Sequence, residues 1–502
     1  MFLEIFYLNI YPLVTELFLF LVVAFCLLFG SIYSNSFVLY FPILTKCIRF
    51  FSLQSLIFSF ILLVETSPLF FNYWNNLLLN DSLSFYGKFL ILFFAIIWIL
   101  IFPVSKSILN FEFWILILLS IIALSLLLQA SDLLSIYLLI EFLSLTFYIL
   151  TSINRNSEFS TESALKYFII GAFTSSLLLF GFVLLYNFTG LTNLQDFLIF
   201  FTGYSSIIYS VNLNIAFFFA FSCILTALLF KLGAAPFHFW LPDVYEGATA
   251  SVTGFFAILP KIAILTLLLR FIFLTFGGYL FNEIYFFFVI CTFLSSLIGT
   301  FGAFIQTKWK RFIAFSSINH ISFFLLNLSS LNSDNLVYLF IYLIIYLIMS
   351  SAFFCFFSIF TNFKFPTNVI IRFFNSLMFL NFTNKPLAIL FTIILFSFAG
   401  IPPLAGFFTK FFVFYTAISS SFFFLVFSLL ILNCISCFYY INLIRKNYFN
   451  TINFSYLPIV NSFSKLETLV TFNILIFLML FFVFEFDGIF LFSDLLRSAL
   501  LT

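Results

Sequence analysis

Along the chain, apolar stretches of about 20 residues alternate with short breaks that carry charge, Asn, Ser, Gly or Pro, and a helix needs about that length to cross ~30 Å of hydrocarbon. Transmembrane strands would instead run for ~10 residues with alternating apolar and polar positions, and no such run is present. The pattern predicts an all-α polytopic membrane protein of about 14 spans, centred near residues 22, 57, 95, 120, 142, 175, 225, 262, 292, 321, 347, 400, 430 and 476. Most of the charge falls in what read as short linkers: Lys46 to Arg49, Thr151 to Glu162, Asp243 to Glu246, Lys308 to Arg311, Lys364 to Arg372, and Arg445 to Lys465. Residues 191 to 210, interrupted by Asp196 and several Gly, Ser and Asn, read as an interfacial or peripheral stretch.

Two apolar runs, 212 to 241 and 386 to 417, are too long for one straight crossing. Each is interrupted by small residues and proline: Gly233 to Pro236 in the first, and Gly400 to Gly406 with Pro402 and Pro403 in the second. Proline removes a backbone donor and frees a carbonyl, which hydrocarbon tolerates only where protein or water satisfies it. A pair of interrupted helices points to a transport site and an inverted-repeat architecture. The plainer reading is two proline kinks.

Composition excludes a soluble fold: 64% of residues are hydrophobic and 8% charged, against roughly 25% charged in an ordinary domain. A net charge of +2 offers no basic face for nucleic acid. The 91 phenylalanines exceed what bundle packing requires and suggest an AT-rich genome, organellar or bacterial. Glu4 and Glu16, with no Arg-rich amphipathic segment, argue against a transit peptide. Five of the seven cysteines sit far apart in apolar runs as packing residues; Cys434 and Cys437 form a C-x-x-C without a second pair, which favours packing over redox or metal use.

The candidate chemistry lies in ionisable groups at membrane depth, each costing about 2.5 to 3.5 kcal/mol at a helix centre on insertion scales. Glu141 lies nine residues after Asp132, Lys231 ends a long uncharged stretch at the first break, and Lys261 has eight uncharged residues before Arg270. Lys410 carries the single charge between Lys385 and Arg445. A carboxylate approaching or leaving a buried lysine changes its proton affinity, so Glu141 and Lys231 can act as a switch that passes protons on toward Lys261 and Lys410. His238, seven residues beyond Lys231, and His320, mid-span, could relay protons. The alternatives are snorkelling for the lysines, an interhelical hydrogen bond for Glu141, and satisfied core residues for the histidines. Lys166, four residues after Glu162, reads as a helix-end ion pair; Gly171, Ser175 and Ser176 read as a close-packing face; Lys310 and Arg311 read as topology-setting charges. The sequence has no GxGxxG, no P-loop, no paired C-x-x-C and no histidine pair spaced for haem.

KLGAAPFHFWLPDVYEGATASVTGFFAILPKIAIL (231 to 265) and AGIPPLAGFFTKFFVF (399 to 414) resemble the antiporter-like membrane subunits of respiratory complex I, specifically the subunit 2 family. LLIEFLSLTFYIL (138 to 150), ESALKYFIIGAFTSSLLLFG (162 to 181) and WKRFIAFSSINHISF (309 to 323) support the resemblance, which covers roughly residues 110 to 445. It implies two inverted five-helix repeats, 110–275 and 276–448, each with a discontinuous helix, flanked by N-terminal helices 1–109 and a C-terminal helix and tail 449–502. It also implies a glutamate and lysine pair, a central lysine and a terminal lysine, at Glu141, Lys231, Lys261 and Lys410. Thr409 stands where related proteins often have Gly before the lysine, and Ile258 to Lys261 look more like the mitochondrial than the chloroplast member. The function so implied is one proton-translocating module of NADH:ubiquinone oxidoreductase; a cation/proton antiporter subunit is the alternative. The expected setting is the mitochondrial inner membrane, with an organelle-encoded chain. No cofactor is expected in this chain: NADH, FMN, iron-sulfur clusters and ubiquinone would belong to partner subunits. Expected partners are the other membrane-arm subunits and membrane lipids, cardiolipin among them.

Overall fold

A computed structural model describes residues 9–34, 41–66, 70–102, 110–204, 211–275, 281–330, 333–364, 367–370, 372–377, 380–449, 458–460, 466–482 and 486–501. The helices of the first half are α1 (Val14–Ser34), α2 (Phe41–Glu65), α3 (Ser82–Ile101), α4 (Glu112–Gln129), α5 (Leu133–Thr151), α6 (Glu158–Thr189), α7 (Leu194–Tyr204), α8 (Val211–Leu232), α9 (Trp240–Gly247) and α10 (Ala250–Thr275). The second half adds α11 (Phe281–Ile305), α12 (Trp309–Ser329), α13 (Ser333–Ile359), α14 (Leu380–Thr383), α15 (Lys385–Ala399), α16 (Ala405–Ser419), α17 (Phe423–Phe449), α18 (Leu466–Phe481) and α19 (Phe486–Leu501).

Among the described residues, 12 helices are long and apolar enough to cross a membrane, and α15, α16 and α18 are shorter apolar helices. Every expected span centre falls inside a helix except residue 400, which is the turn between α15 and α16. The expectation of about 14 therefore counted a broken pair and a short helix that do not individually reach spanning length.

Helix starts follow from capping. Asp81 and Asp132 stand before α3 and α5 with side-chain oxygens accepting from Ser84 N–H and Leu134 N–H, while Ser84 and Ser135 reach back to the cap. This satisfies donors that hydrocarbon would leave bare. Helices α10 and α13 form the centre, buried on every side. Lipid tails are as apolar as Leu, so close packing drives assembly here. Gly181 of α6 shows it, since a Cβ there would meet Ile224 Cγ1 of α8 at 2.7 Å. Trp98 sits between α4 and α10, its ring 6.0 Å from Trp114 and 5.2 Å from Phe255, and its indole N–H donates to Ser251 O at 3.1 Å.

Several sequence expectations need correction. The Lys46 to Arg49 segment lies inside α2, and Arg49 turns inward to Glu467 of α18 at 3.0 Å and to Ile99 O at 2.9 Å. Asp243 to Glu246 form part of α9, and Lys308 to Arg311 open α12. Two small sheets accompany the helices: β1 (Phe71–Tyr73) with β2 (Leu78–Asn80), and β3 (Phe360–Lys364) with both β4 (Thr367–Ile370) and β5 (Pro458–Val460), all antiparallel. Residues 365–366 and 371 of the Lys364 to Arg372 linker, and most of Arg445 to Lys465, lie outside the described residues. Gly171 and Ser175 face the bundle whereas Ser176 faces outward, and Cys47 is exposed. Of residues 191 to 210, α7 packs Leu194 and Phe197 inside and leaves Asp196 outside; 205–210 are outside the described residues.

Candidate functional site

Both predicted breaks exist. Helix α8 ends at Leu232 and α15 at Ala399, each followed by a glycine in the left-handed region, Gly233 at φ 81° and Gly400 at φ 82°. Only glycine adopts that conformation without strain. Pro236 and Pro402–Pro403 complete the two turns. A helix that stops inside a membrane exposes carbonyls, and each break supplies its own donors. At the first, Trp240 Nε1 donates to Phe230 O at 2.8 Å. At the second, Lys410 of α16 turns back and donates to Phe398 O (2.9 Å), Ala399 O (3.0 Å) and Asn433 Oδ1 of α17 (2.7 Å). The ammonium thus caps the C-terminal end of α15, where a cation is favoured. Lys410 is 4% exposed, so it does not snorkel.

Lys261 is equally buried. It lies on α10 just after Pro260, and its ammonium donates to Tyr346 Oη of α13 at 2.5 Å. One helical turn before Tyr346, Tyr342 shares a 2.7 Å hydrogen bond with His320 Nδ1 of α12. His320 Nε2 is buried with no hydrogen-bond partner. The His320 ring stands 5.4 Å from the Tyr346 ring and 5.3 Å from that of Phe398, whose carbonyl holds Lys410. His320 thus touches both the Tyr346 ring, which holds Lys261, and the Phe398 ring, whose backbone holds Lys410.

On the other side of Lys261, a cavity of about 20 Å³ is walled by Lys231, Lys261, Pro260, Ser144, Tyr167 and Tyr245, among others. That volume holds the centre of about one water. Lys231, half-buried at the end of α8, lines it. Glu141, half-buried at the middle of α5, is the carboxylate whose field reaches Lys231, and its Oε2 accepts from Ser144 at 3.2 Å. No ion pair between Glu141 and Lys231 is closed among the described residues. Lys231 and Lys261 thus share one cavity wall, and Lys261, His320 and Lys410 are joined through Tyr346, Tyr342 and Phe398. His238 stands apart: it occupies the turn before α9 against Phe239, outside the cavity wall, with Nδ1 buried and unpartnered.

Sequence reasoning missed the tyrosines. Tyr338, Tyr342 and Tyr346 recur every four residues, which places them on one face of α13, and that spacing was the available signal. It also missed two buried ion pairs, Glu16–Lys88 at 2.6 Å and Asp81–Arg270 at 2.6 Å. Lys166 does pair with Glu162 at 2.7 Å, yet it also reaches Asp243 at 3.2 Å; Arg311 pairs with Asp243 and Glu246, and Lys308 with Glu246. Arg311, read as a topology-setting charge, holds α9 against α12, and Lys166, read as a helix-end ion pair, also ties α9 to α6.

A family model described as "NADH:quinone oxidoreductase/Mrp antiporter, TM" matches residues 130–436. The chain belongs to this family. NADH-ubiquinone oxidoreductase chain 2 of Marchantia polymorpha is 36% identical over 449 residues, covering 89% of each chain. NADH-quinone oxidoreductase subunit N of Pelagibacter ubique is 36% identical over 346 residues, 69% of this chain and 70% of its own. A chain of respiratory complex I from Thermus thermophilus with bound aureothin superposes at a TM-score of 0.74 with 24% identity, covering 94% of this chain and 98% of its own. With its 12 apolar helices of spanning length among the described residues, this member of the NADH:quinone oxidoreductase/Mrp antiporter family is a multi-pass helical membrane bundle.

Proposed function

We propose that this chain is a proton-translocating, antiporter-like subunit 2 of NADH:ubiquinone oxidoreductase. NADH oxidation and ubiquinone reduction take place in partner subunits, which hold FMN and the iron-sulfur clusters, and the chain couples that chemistry to proton movement. The observation that carries the reading is a buried pair of hydrogen bonds one helical turn apart on α13, Lys261 to Tyr346 and Tyr342 to His320, with the His320 ring against Phe398, whose carbonyl holds the buried Lys410. Burying two lysines with dedicated acceptors is costly for a scaffold and useful for a carrier. Its place in the complex follows its relatives, named chain 2 in plants and subunit N in bacteria.

In this reading, Glu141 approaches or leaves Lys231 as a neighbouring subunit changes state, and the field of that carboxylate sets whether Lys231 keeps its proton. A proton released by Lys231 crosses the water cavity to Lys261, then passes by Tyr346 and Tyr342 to His320 and Lys410. Moving one charge against 100 mV takes about 2.3 kcal/mol, so the energy arrives through electrostatic or conformational coupling from the quinone chemistry. The paired breaks frame two repeats, 110–275 and 276–448, and the setting is the mitochondrial inner membrane with an organelle-encoded chain. His238 serves packing at its turn in this scheme.

Replacing Lys261 or Glu141 with Ala in the assembled complex lowers the protons pumped per NADH oxidised, measured in sealed vesicles; unchanged stoichiometry would sink the mechanism. A cation/proton antiporter subunit is the competing reading, because the family description includes Mrp antiporters. Purification without flavin and iron-sulfur subunits, together with sodium-dependent proton exchange, would favour it.

A further inference from the structure

One face of α5 carries a line of hydroxyl and carboxyl groups. Tyr137, Glu141, Ser144 and Tyr148 follow one another at spacings of four, three and four residues, which stacks them along the helix. Leu138 and Leu145, on the adjoining strip, are 57% and 54% exposed, and Glu141 itself is half-buried, so the carboxylate stands at the rim of the bundle.

The hydrogen bond that Glu141 closes is with its own helix. Ser144 Oγ donates to Glu141 Oε2 at 3.2 Å and to Glu141 O at 2.9 Å. A hydroxyl has a single hydrogen, so the two bonds are alternatives. Serines such as Ser120 and Ser125 give that hydrogen to the carbonyl three residues back, the ordinary habit of serine inside a helix. At Ser144 a charged acceptor competes for it, and bonds to charged groups are the stronger ones. The carbonyl stays available, so the serine loses no partner when the carboxylate departs. Ser144 is 2% exposed and lines the cavity that Lys231 and Lys261 share; within that wall it is the residue bonded to Glu141.

Tyr148 is fixed from the neighbouring helix. Its Oη fills a niche that Gly171 of α6 leaves open, where a Cβ would fall 2.1 Å away, and it faces Ser144 at longer range. The Tyr148 ring stands edge-on to Tyr167 at 5.0 Å, and Tyr167 stacks on Trp240 at 4.8 Å. The Trp240 indole holds the carbonyl of Phe230, the residue before Lys231. Packed rings therefore join the face that holds Glu141 to the helix end that holds Lys231.

We propose that Ser144, steadied by Tyr148, is a latch for Glu141: its hydroxyl keeps the carboxylate parked on α5, apart from Lys231, until movement at the first break releases it. In the parked state the hydroxyl hydrogen lies on Oε2. Release turns it to Glu141 O, and the carboxylate enters the cavity to meet the Lys231 ammonium. Only hydrogen bonds change. Because the rings reach Phe230, a shift of the first break displaces Tyr148 and with it the latch. Ser144 is a positioning residue; it acts through Glu141 and carries no proton.

The inference rests on the proposed role of Glu141, and its test keeps the two apart. In complex reconstituted into sealed vesicles, protons pumped per NADH oxidised are compared for Glu141→Ala, Ser144→Ala, Ser144→Thr, Tyr148→Phe and the double variant Glu141→Ala with Ser144→Ala. The latch requires Ser144→Ala to lose as large a share of pumping as Glu141→Ala, and the double variant to fall no further, since the serine works only through the carboxylate. Ser144→Thr, which keeps the hydroxyl, should hold the parent value, and Tyr148→Phe should lose part of it. A second measurement needs no pumping. The infrared carboxylate band of Glu141, identified by its loss in Glu141→Gln, should shift in resting Ser144→Ala complex and stay in place in Ser144→Thr. If Glu141→Ala lowers pumping while Ser144→Ala or Tyr148→Phe matches the parent, if the double variant falls below both singles, or if the band does not move, the latch is wrong and the function stands. If Glu141→Ala itself pumps normally, the proposed function fails and the latch with it.

Discussion

The residues that define the proposed axis are those for which burial is expensive. A lysine inside an apolar run stands out on paper because no packing need explains it, and Lys261 and Lys410 are found directed at a phenol and at helix-end carbonyls rather than toward a membrane surface. The tyrosines between them were invisible for the opposite reason: Tyr is cheap to bury, 23 are present, and only their partners distinguish Tyr342 and Tyr346. Their hydroxyls are testable one at a time. Tyr346→Phe keeps the ring and removes the acceptor of Lys261, leaving a buried ammonium short of a bond, a loss of about 1 to 3 kcal/mol. We expect assembly to persist and protons pumped per NADH to drop at least twofold in this subunit's share, whereas Tyr167→Phe, which only borders the cavity, changes pumping less. His238 was read beside His320 from its place seven residues beyond Lys231; in space His238 packs on Phe239 at the turn before α9, while His320 meets Tyr342.

For the helices, length and punctuation were legible and partners were not. Proline and glycine located both breaks, since a long apolar run with a Gly to Pro interruption has few other solutions. How tightly the halves approach could not be read: Gly406 of α16 is so close to α15 that a Cβ would fall 1.8 Å from Ser397 O. Gly406→Ala therefore forces the half-helices apart, and the expected result is loss of assembled complex on native gels. Gly400→Ala is milder. Its positive φ costs about 1 to 2 kcal/mol for a residue with a Cβ, and the new methyl would press on Lys410 Cδ at 2.9 Å. Complex should form with reduced thermal stability and a larger fractional loss of pumping than of NADH oxidation. Equal losses would show that Gly400 serves folding alone.

Across the molecule, the sequence separates spans from linkers but cannot say which linker charges turn inward. Arg270 lies on the same helix as Lys261, and its pair with Asp81, together with a 3.3 Å bond to Ala130 O, ties α10 to the start of α3 and the end of α4. Neither residue drew notice, because each sits near a span end where charge is ordinary. Breaking a buried pair from one side leaves an uncompensated charge at about 3 to 5 kcal/mol, while removing both partners is close to neutral. Asp81→Asn keeps the helix cap, so it isolates the electrostatic part. We expect Asp81→Asn alone to reduce the yield of assembled complex, and Asp81→Asn with Arg270→Met to restore it. A double variant worse than the single would show that the pair contributes more than charge cancellation. The second half gives the same lesson, where Glu467 of α18 neutralises Arg49 across 418 positions of chain.

The Lys410 ammonium has three hydrogens and three acceptors, two of them the last carbonyls of α15. An uncharged amine has only two hydrogens to offer, so departure of a proton removes one of those bonds; Ala399 O also accepts from Cys437 Sγ and Asn433 Oδ1 from Ser436 Oγ, so the oxygen that depends most on the ammonium is Phe398 O, at the end of α15. Discharge of the lysine and loosening of the joint between the half-helices are then a single event. The same clasp that holds the second break shut is the device through which a change of charge becomes a change of shape.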